Sequence, residues 1–272
     1  MTDLWTDLLG CLDLEGPAED GSFAGRNQAL TYHRLFGGQL LAQFVRAAEL
    51  TCQDKALKSL HTLFPRAGRA DEPVRYEVAV HHAGSSFATL TLNAVQSRGV
   101  IATASASMHA VEDGRAVQTV AAVPPVPGPE RAVEFNLIPW ETRAVGDLDT
   151  EKSEAPEFEL WARTPETDPV HAPALLAYAT DLTLIGTALR PVEGVSQRDS
   201  GRAFTSAVTS HTLWFHRPVP SASWLLLRQH SPLLAHARSY GRGDVLTEDG
   251  ALIASYAQES LVRFTEPAAP AD

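Results

Sequence analysis

The sequence predicts an α+β fold of two tandem units, each an antiparallel sheet wrapped around a long helix. Three observations predict it. Two apolar segments of helical character, at 35–50 and 172–191, each precede a succession of short segments in which apolar residues alternate with small or polar ones. The two halves also match: SLHTLFPRAG (59–68) parallels SHTLWFHRPV (210–219), placing His61 over His211, and QSRGVIATASASM parallels TEDGALIASYAQESL, with Gly99 near Gly250 and Ile101 near Ile253. Finally, 272 residues that are 44% hydrophobic and 20% charged suffice to bury a globular core. A helix followed by a meander suggests a sheet wrapped around that helix, and two such units imply an internal two-fold axis.

Each element follows from its spacing. Leu4, Trp5, Leu8, Leu9 and Leu12 return at helical intervals. In LFGGQLLAQFVRAAEL, Phe36, Leu40, Leu41, Phe44, Val45 and Ala48 form one stripe, with Gly37 and Gly38 at its N-terminal end. Period-two runs follow at 59–68, 74–84, 86–96 and 100–111, punctuated by Gly84 and Gly99. Residues 112–157 change character: AVPPVPGPE cannot hold a ladder or a helix, GDLDTEKSEAPE is loop-like, and FNLIPWETRAV between them supplies one strand. The pattern then restarts with FELWARTPE as strand and turn, Ala172–Pro191 as one apolar helix, and four strands beyond it. The expected division is 1–111 as the first unit, 112–157 as a linker with a possible first strand of the second, 158–264 as the second unit, and 265–272 as an unfolded tail.

Charge and cysteine content narrow the function. A formal charge of -11 repels phosphate backbones, which argues against a nucleic-acid partner, and a polyphosphate-bearing ligand would need a local basic patch. Cys11 and Cys52 fit no metal spacing and make no disulfide framework, and the ten histidines show no paired-ligand pattern. The acidic start MTDLWTDLLG lacks signal-peptide order, and no apolar run is expected to reach the ~20 residues of a membrane helix. The reading is a soluble, cytoplasmic protein.

FGGQLLAQ, SLHTLFPRAG, GSSF, YATDL, SHTLWFHRP, WLLL and SYGRGDVLTEDGALIASYAQE, with the terminal VR, together resemble the acyl-CoA thioesterase II family of double-hotdog enzymes. The likeness runs from about Gln28 to Val262, in family order. It implies two hotdog folds in one chain and hydrolysis of acyl-CoA to free acid and CoA without metal or cofactor. It also implies a catalytic Asp, hydroxyl and Gln in the second half. The Asp falls on Asp181 and the Gln on Gln258, while the hydroxyl position falls on Val208, which has none. Where the family commonly has Asp just before the strand's His, this chain has Ser210. Residues two apart on a strand share a face, so Ser210 or Ser206 is expected to replace the missing hydroxyl, with Thr209 as the choice if a bulge intervenes and Thr205 on the far face.

These residue types suit the reaction. A carboxylate orients a water and takes its proton, while an amide or hydroxyl donates and accepts to hold that water in line. Unpaired N–H groups at a helix start, here Gly37 and Gly38, stabilise an oxyanion. By pattern Gly38 occupies in the first half the place of Asp181 in the second, so one functional site per chain is expected. Each residue also has a bland reading. Asp181 can be a solvated helix-face acid, Gln258 an amide bonded to the sheet, and the two glycines a device for close packing. The repeated His61 and His211 read as servants of the shared fold, and Arg66, Arg69, Arg238 and Arg242 as surface charges. Two other functions remain open: a non-catalytic acyl-CoA binding module, which Val208 favours, and a hotdog enoyl-CoA hydratase, which needs a His that YATDLTLIG lacks. Exposed sheet edges point to a homodimer or homotetramer.

Overall fold

The computed structural model describes residues 3–31 and 34–265. Helix α1 (Leu4–Leu12) is capped by Asp3, whose carboxylate accepts from the Trp5 and Thr6 N–H groups. A short strand β1 (Phe23–Gly25), too brief for periodicity to reveal, precedes helix α2 (Gly37–Thr51) and strands β2 (Ala56–Leu63), β3 (Val74–Ala83), β4 (Phe87–Gln96) and β5 (Gly99–His109). The second half contains β6 (Glu141–Ala144), β7 (Glu157–Arg163), α3 (Ala172–Ala179), α4 (Leu184–Leu189), β8 (Phe204–Phe215), β9 (Leu225–Ala235), β10 (Arg238–Thr247) and β11 (Leu252–Phe264). The proline-rich segment between β5 and β6 is held down rather than loose. Val120, Val123 and Val126 pack on Trp161 and Trp224, and the Arg228 guanidinium donates to the carbonyls of Ala121 and Ala122.

All eleven strands form one antiparallel sheet, ordered β1-β3-β4-β5-β2-β8-β11-β10-β9-β7-β6. The order β2-β5-β4-β3 in one direction is mirrored by β8-β11-β10-β9 in the other, so the two halves join through β2 and β8. The long helices α2 and α3 pack against each other, and one apolar core runs through both halves. This is the expected double hotdog. Gly99 and Gly250 turn the corresponding hairpins at φ +97° and +86°, a region that favours glycine.

Three expectations fail. His61 and His211 are not equivalent: His61 pairs with Thr212 and Thr62 with His211 across the β2–β8 joint. Directly opposed residues share a face, so the buried Thr62 and His211 point inward while His61 lies exposed on the other side. A match by eye that is one residue out of phase exchanges faces. Second, the segment 172–191 is not one helix. Its turns stop at Ala179 and resume at Leu184, because the hydroxyl of Thr183 donates to Gln229 on β9 and that of Thr180 meets His211 on β8. Side-chain bonds to the sheet compete there with the helix's own ladder. Third, Pro169–Leu189 is, by length and composition, apolar enough to cross a membrane, but 89% of its apolar window is buried, as befits a core segment. At the C-terminus, Thr265 is tied to the fold by its N–H on the Ala203 carbonyl, and the rest of the expected tail lies outside the described residues.

Candidate active site

The break between α3 and α4 places Asp181 against the first turn of α2. A Cβ at Gly37 would lie 2.6 Å from Asp181 Oδ2, and one at Gly38 would lie 2.6 Å from the Tyr178 carbonyl. Both glycines therefore permit an approach that any side chain would block. The Gly38 N–H faces the Asp181 carboxylate and favours its ionised form, while Oδ1 is buried with no hydrogen-bond partner. Burial pushes this carboxyl up to about 7, with the Gly38 N–H pulling the other way. A buried oxygen left unpaired in this way is uncommon and asks for a ligand.

Gly38 thus does not stand in for Asp181 in the first half: it lies in the first turn of α2, whereas Asp181 follows the end of α3. From the far end of α2, Arg46 donates to the Val170 carbonyl just before α3 and ion-pairs with Glu49 at 3.1 Å. Of the two expected oxyanion donors, Gly38 is engaged with the carboxylate. Gly37, the first residue of α2, has an N–H with no intrahelical partner and lines the adjoining cleft.

That cleft has a volume of about 600 Å³ and is built from both halves. Leu40 and Phe64 line it from the first, Asp181, Leu182, Ile185 and Phe204 from the second. Among the described residues Arg34 and Arg66 are the cations that line it. Among the described residues no three His, Cys, Asp or Glu side chains converge in a way that would hold a metal ion, and Cys11 and Cys52 are both buried as free thiols.

Strand β8 supplies the hydroxyls, but not as strict alternation predicts. Its register against β11 jumps: Ser210 faces Glu259, Val208 faces Ser260, and Thr209 is the extra residue between them. The run from Ser206 to Thr209 lines the cleft, whereas Ser210 does not. Ser210 sits opposite Leu63, which is 59% exposed, on the outer face of the sheet. Of the two serines expected to replace the missing hydroxyl, Ser210 lies away from the cleft and Ser206 lines it, as does Thr209, the choice if a bulge intervenes. Its hydroxyl donates to the Glu259 carbonyl at 2.9 Å.

Gln258 is buried but is not part of the cleft lining. Its Oε1 lies 2.9 Å from His211 Nδ1 and its Nε2 donates to Ser260, while His211 Nε2 lies 3.0 Å from the Thr180 hydroxyl. A continuous buried chain thus runs from β11 through β8 to the residue beside Asp181. Burial holds the His211 imidazole down to about 4, so the ring is neutral. His211 and Thr180 carry no signal as single residues. Only the register of β2 against β8 separates His211 from the exposed His61.

Comparison with known proteins agrees with this architecture. The family model described as the acyl-CoA thioesterase N-terminal domain matches residues 28–109, and the one described as the C-terminal domain matches 111–262. Acyl-CoA thioesterase 2 of Haemophilus influenzae is 30% identical over 98% of this chain and 100% of its own length. The crystal structure of acyl-CoA thioesterase II TesB2 from Mycobacterium marinum, also 30% identical, superposes with a TM-score of 0.78 over 95% of this chain and 99% of that one. A protein with a hot dog fold from Alicyclobacillus acidocaldarius, 20% identical, shares the fold with a TM-score of 0.74 over 95% of this chain and 98% of its own.

Proposed function

The chain belongs to the acyl-CoA thioesterase family, and on that premise we propose that it hydrolyses acyl-CoA by adding a water that Asp181 deprotonates. The observation that carries this reading is Asp181 itself. It is a buried carboxyl with one oxygen tied to the start of α2 and the other unpaired, beside a cleft large enough for an acyl thioester. A base that titrates near neutrality balances availability against strength. The water oxygen bonds to the thioester carbon as its proton passes to Asp181, and the carbonyl oxygen becomes an oxyanion. The Gly37 N–H, at the positive end of α2, stabilises that charge. The C–S bond then breaks and the thiolate takes the proton from Asp181, leaving free acid, CoA thiol and an ionised carboxylate ready for the next cycle.

Thr209, brought to the cleft by the bulge, supports the water in place of the hydroxyl that Val208 lacks. Gln258 stands behind the cleft and acts on the site indirectly. Arg34 and Arg66 form the local positive patch that a chain of net charge -11 needs in order to receive the phosphates of CoA. Release of free thiol from acyl-CoAs of graded length, measured for the parent and for Asp181→Asn, tests the assignment. The parent is expected to release thiol, and the variant to lose about a thousandfold in kcat. Turnover by the variant at the parent rate would overturn the role of Asp181. Binding by the parent without thiol release would make the protein a binding module, and hydration of an enoyl-CoA without thiol release would make it a hydratase.

A further inference from the structure

We propose that His211 is a positioning residue, which fixes the catalytic carboxylate by holding Thr180 and thereby carries the influence of Gln258 to Asp181. The inference rests on the reading of Asp181 as the base. Four groups form one file: Ser260 Oγ, the Gln258 amide, the His211 ring and Thr180 Oγ1, with successive separations of 3.0, 2.9 and 3.0 Å. Ser260, Gln258, His211 and Thr180 are each at least 97% buried, so water does not compete for these bonds.

Hydrogen counting shows what the file does. Gln258 Oε1 accepts only, so His211 Nδ1 carries the hydrogen, and a neutral ring then has a lone pair on Nε2. That lone pair calls for the hydrogen of the Thr180 hydroxyl, which also lies 2.8 Å from the Ala177 carbonyl inside α3. A hydroxyl has one hydrogen, so the ring competes with the helix for it. The tautomer set by Gln258 draws Thr180 toward the sheet at the point where α3 stops. Asp181 is the next residue, and its other restraint is the Gly38 N–H. The helix break, the placement of Asp181 and the buried amide on β11 are thus one device. Displacement of a reacting group by about an ångström costs about a hundredfold in rate, which sets the scale of the effect.

The two ring nitrogens have different conservative replacements. Asparagine reproduces the position of Nδ1 and keeps the bond to Gln258 while abandoning Thr180. Glutamine reaches the position of Nε2 and keeps Thr180. His211→Gln is expected to retain kcat within about threefold, whereas His211→Asn and Thr180→Val each lose about ten- to a hundredfold in kcat with KM within about twofold. The double variant Thr180→Val/His211→Asn is expected to be no worse than either single one, because the two act as a unit. In His211→Asn the midpoint of the rise of kcat with pH moves down, since a loosened Asp181 admits water. The groups bearing on that midpoint are Asp181 itself, the Gly38 N–H, the neighbouring Tyr178, and Arg34 and Arg66 along the cleft. Thermal melts of all variants accompany the kinetics. Equal losses in His211→Gln and His211→Asn, or losses that follow melting temperature alone with an unmoved pH midpoint, would overturn the proposal. A fully active His211→Asn alongside an inactive Asp181→Asn sinks this inference only, whereas an active Asp181→Asn sinks the reading beneath it.

Discussion

The two central helices begin in opposite surroundings. The first turn of α2 meets a carboxylate with one oxygen unpaired, beside a cleft of about 600 Å³, whereas the first turn of α3 adjoins a void of about 30 Å³ lined by Ala172, Leu175 and Val219. A carboxylate lies toward that second end as well: Glu49, which burial also pushes up to about 7. It differs from Asp181 in having a cationic partner, because Arg46 pairs with it and donates to the Val170 carbonyl. The two helix ends therefore share a fold, a dipole and an acid whose pKa is raised, buried in Asp181 and half-buried in Glu49. They differ in whether a cation neutralises the acid and whether space is left beside it. On the proposed reading, that difference locates the chemistry.

The sharpest way to break the comparison is to neutralise each acid in turn. Against the thousandfold loss expected for Asp181→Asn, Glu49→Gln should leave thiol release within about twofold of the parent, and a large loss there would show a second working end. Next in size is Gly37→Ala. Its Cβ would lie 2.6 Å from Asp181 Oδ2, so kcat should fall about ten- to a hundredfold, while Ala172→Gly at the start of α3 changes it little.

Stability gives a third, smaller contrast. The ordinary value for Asp181 is 3.8 and the folded value about 7, so between these the native chain holds a proton that the unfolded chain releases. Stability should therefore fall as pH rises from about 4 to 7, by at most about 4 kcal/mol, and stay level above. Asp181→Asn removes that slope, so it should melt higher than the parent at pH 8 by a few degrees and converge with it near pH 4. The rate runs the other way: kcat/KM should rise with pH around 7 as the base ionises. Glu49→Gln should show a smaller gain or none, since it strands Arg46. On β8, Thr209→Val should lose about tenfold in kcat, and the least effect belongs to Ser210→Ala, which should lose nothing measurable.

The fold was legible because periodicity is local. Alternation at 86–96, the stripe from Phe36 to Ala48 and the turn glycines Gly99 and Gly250 each declare their element within a few residues. Asp181 was legible only through resemblance, since an acid among Leu182, Leu184 and Ile185 has no local reason to be there. What the strand patterns leave open depends on pairing across the sheet. The bulge at Thr209 exists only relative to β11, so it turned Ser210 outward without any mark in the strand's own pattern. The one-residue phase between His61 and His211 exists only relative to the β2–β8 joint. The break at Thr180 arises from hydroxyl bonds to β8 and β9 that no helical wheel displays.

The segment between β5 and β6, strapped down by Val120, Val123 and Arg228, makes the two halves a single inheritance. In an assembly of two identical chains, every substitution is made twice, so a change that opens one site and fills the other cannot occur. Joined end to end, the copies answer to selection separately. One can keep a costly buried acid while the other trades it for an ion pair and a packed interior. With the linker in place, Arg46 can occupy one helix end while the other keeps an acid with an unpaired oxygen.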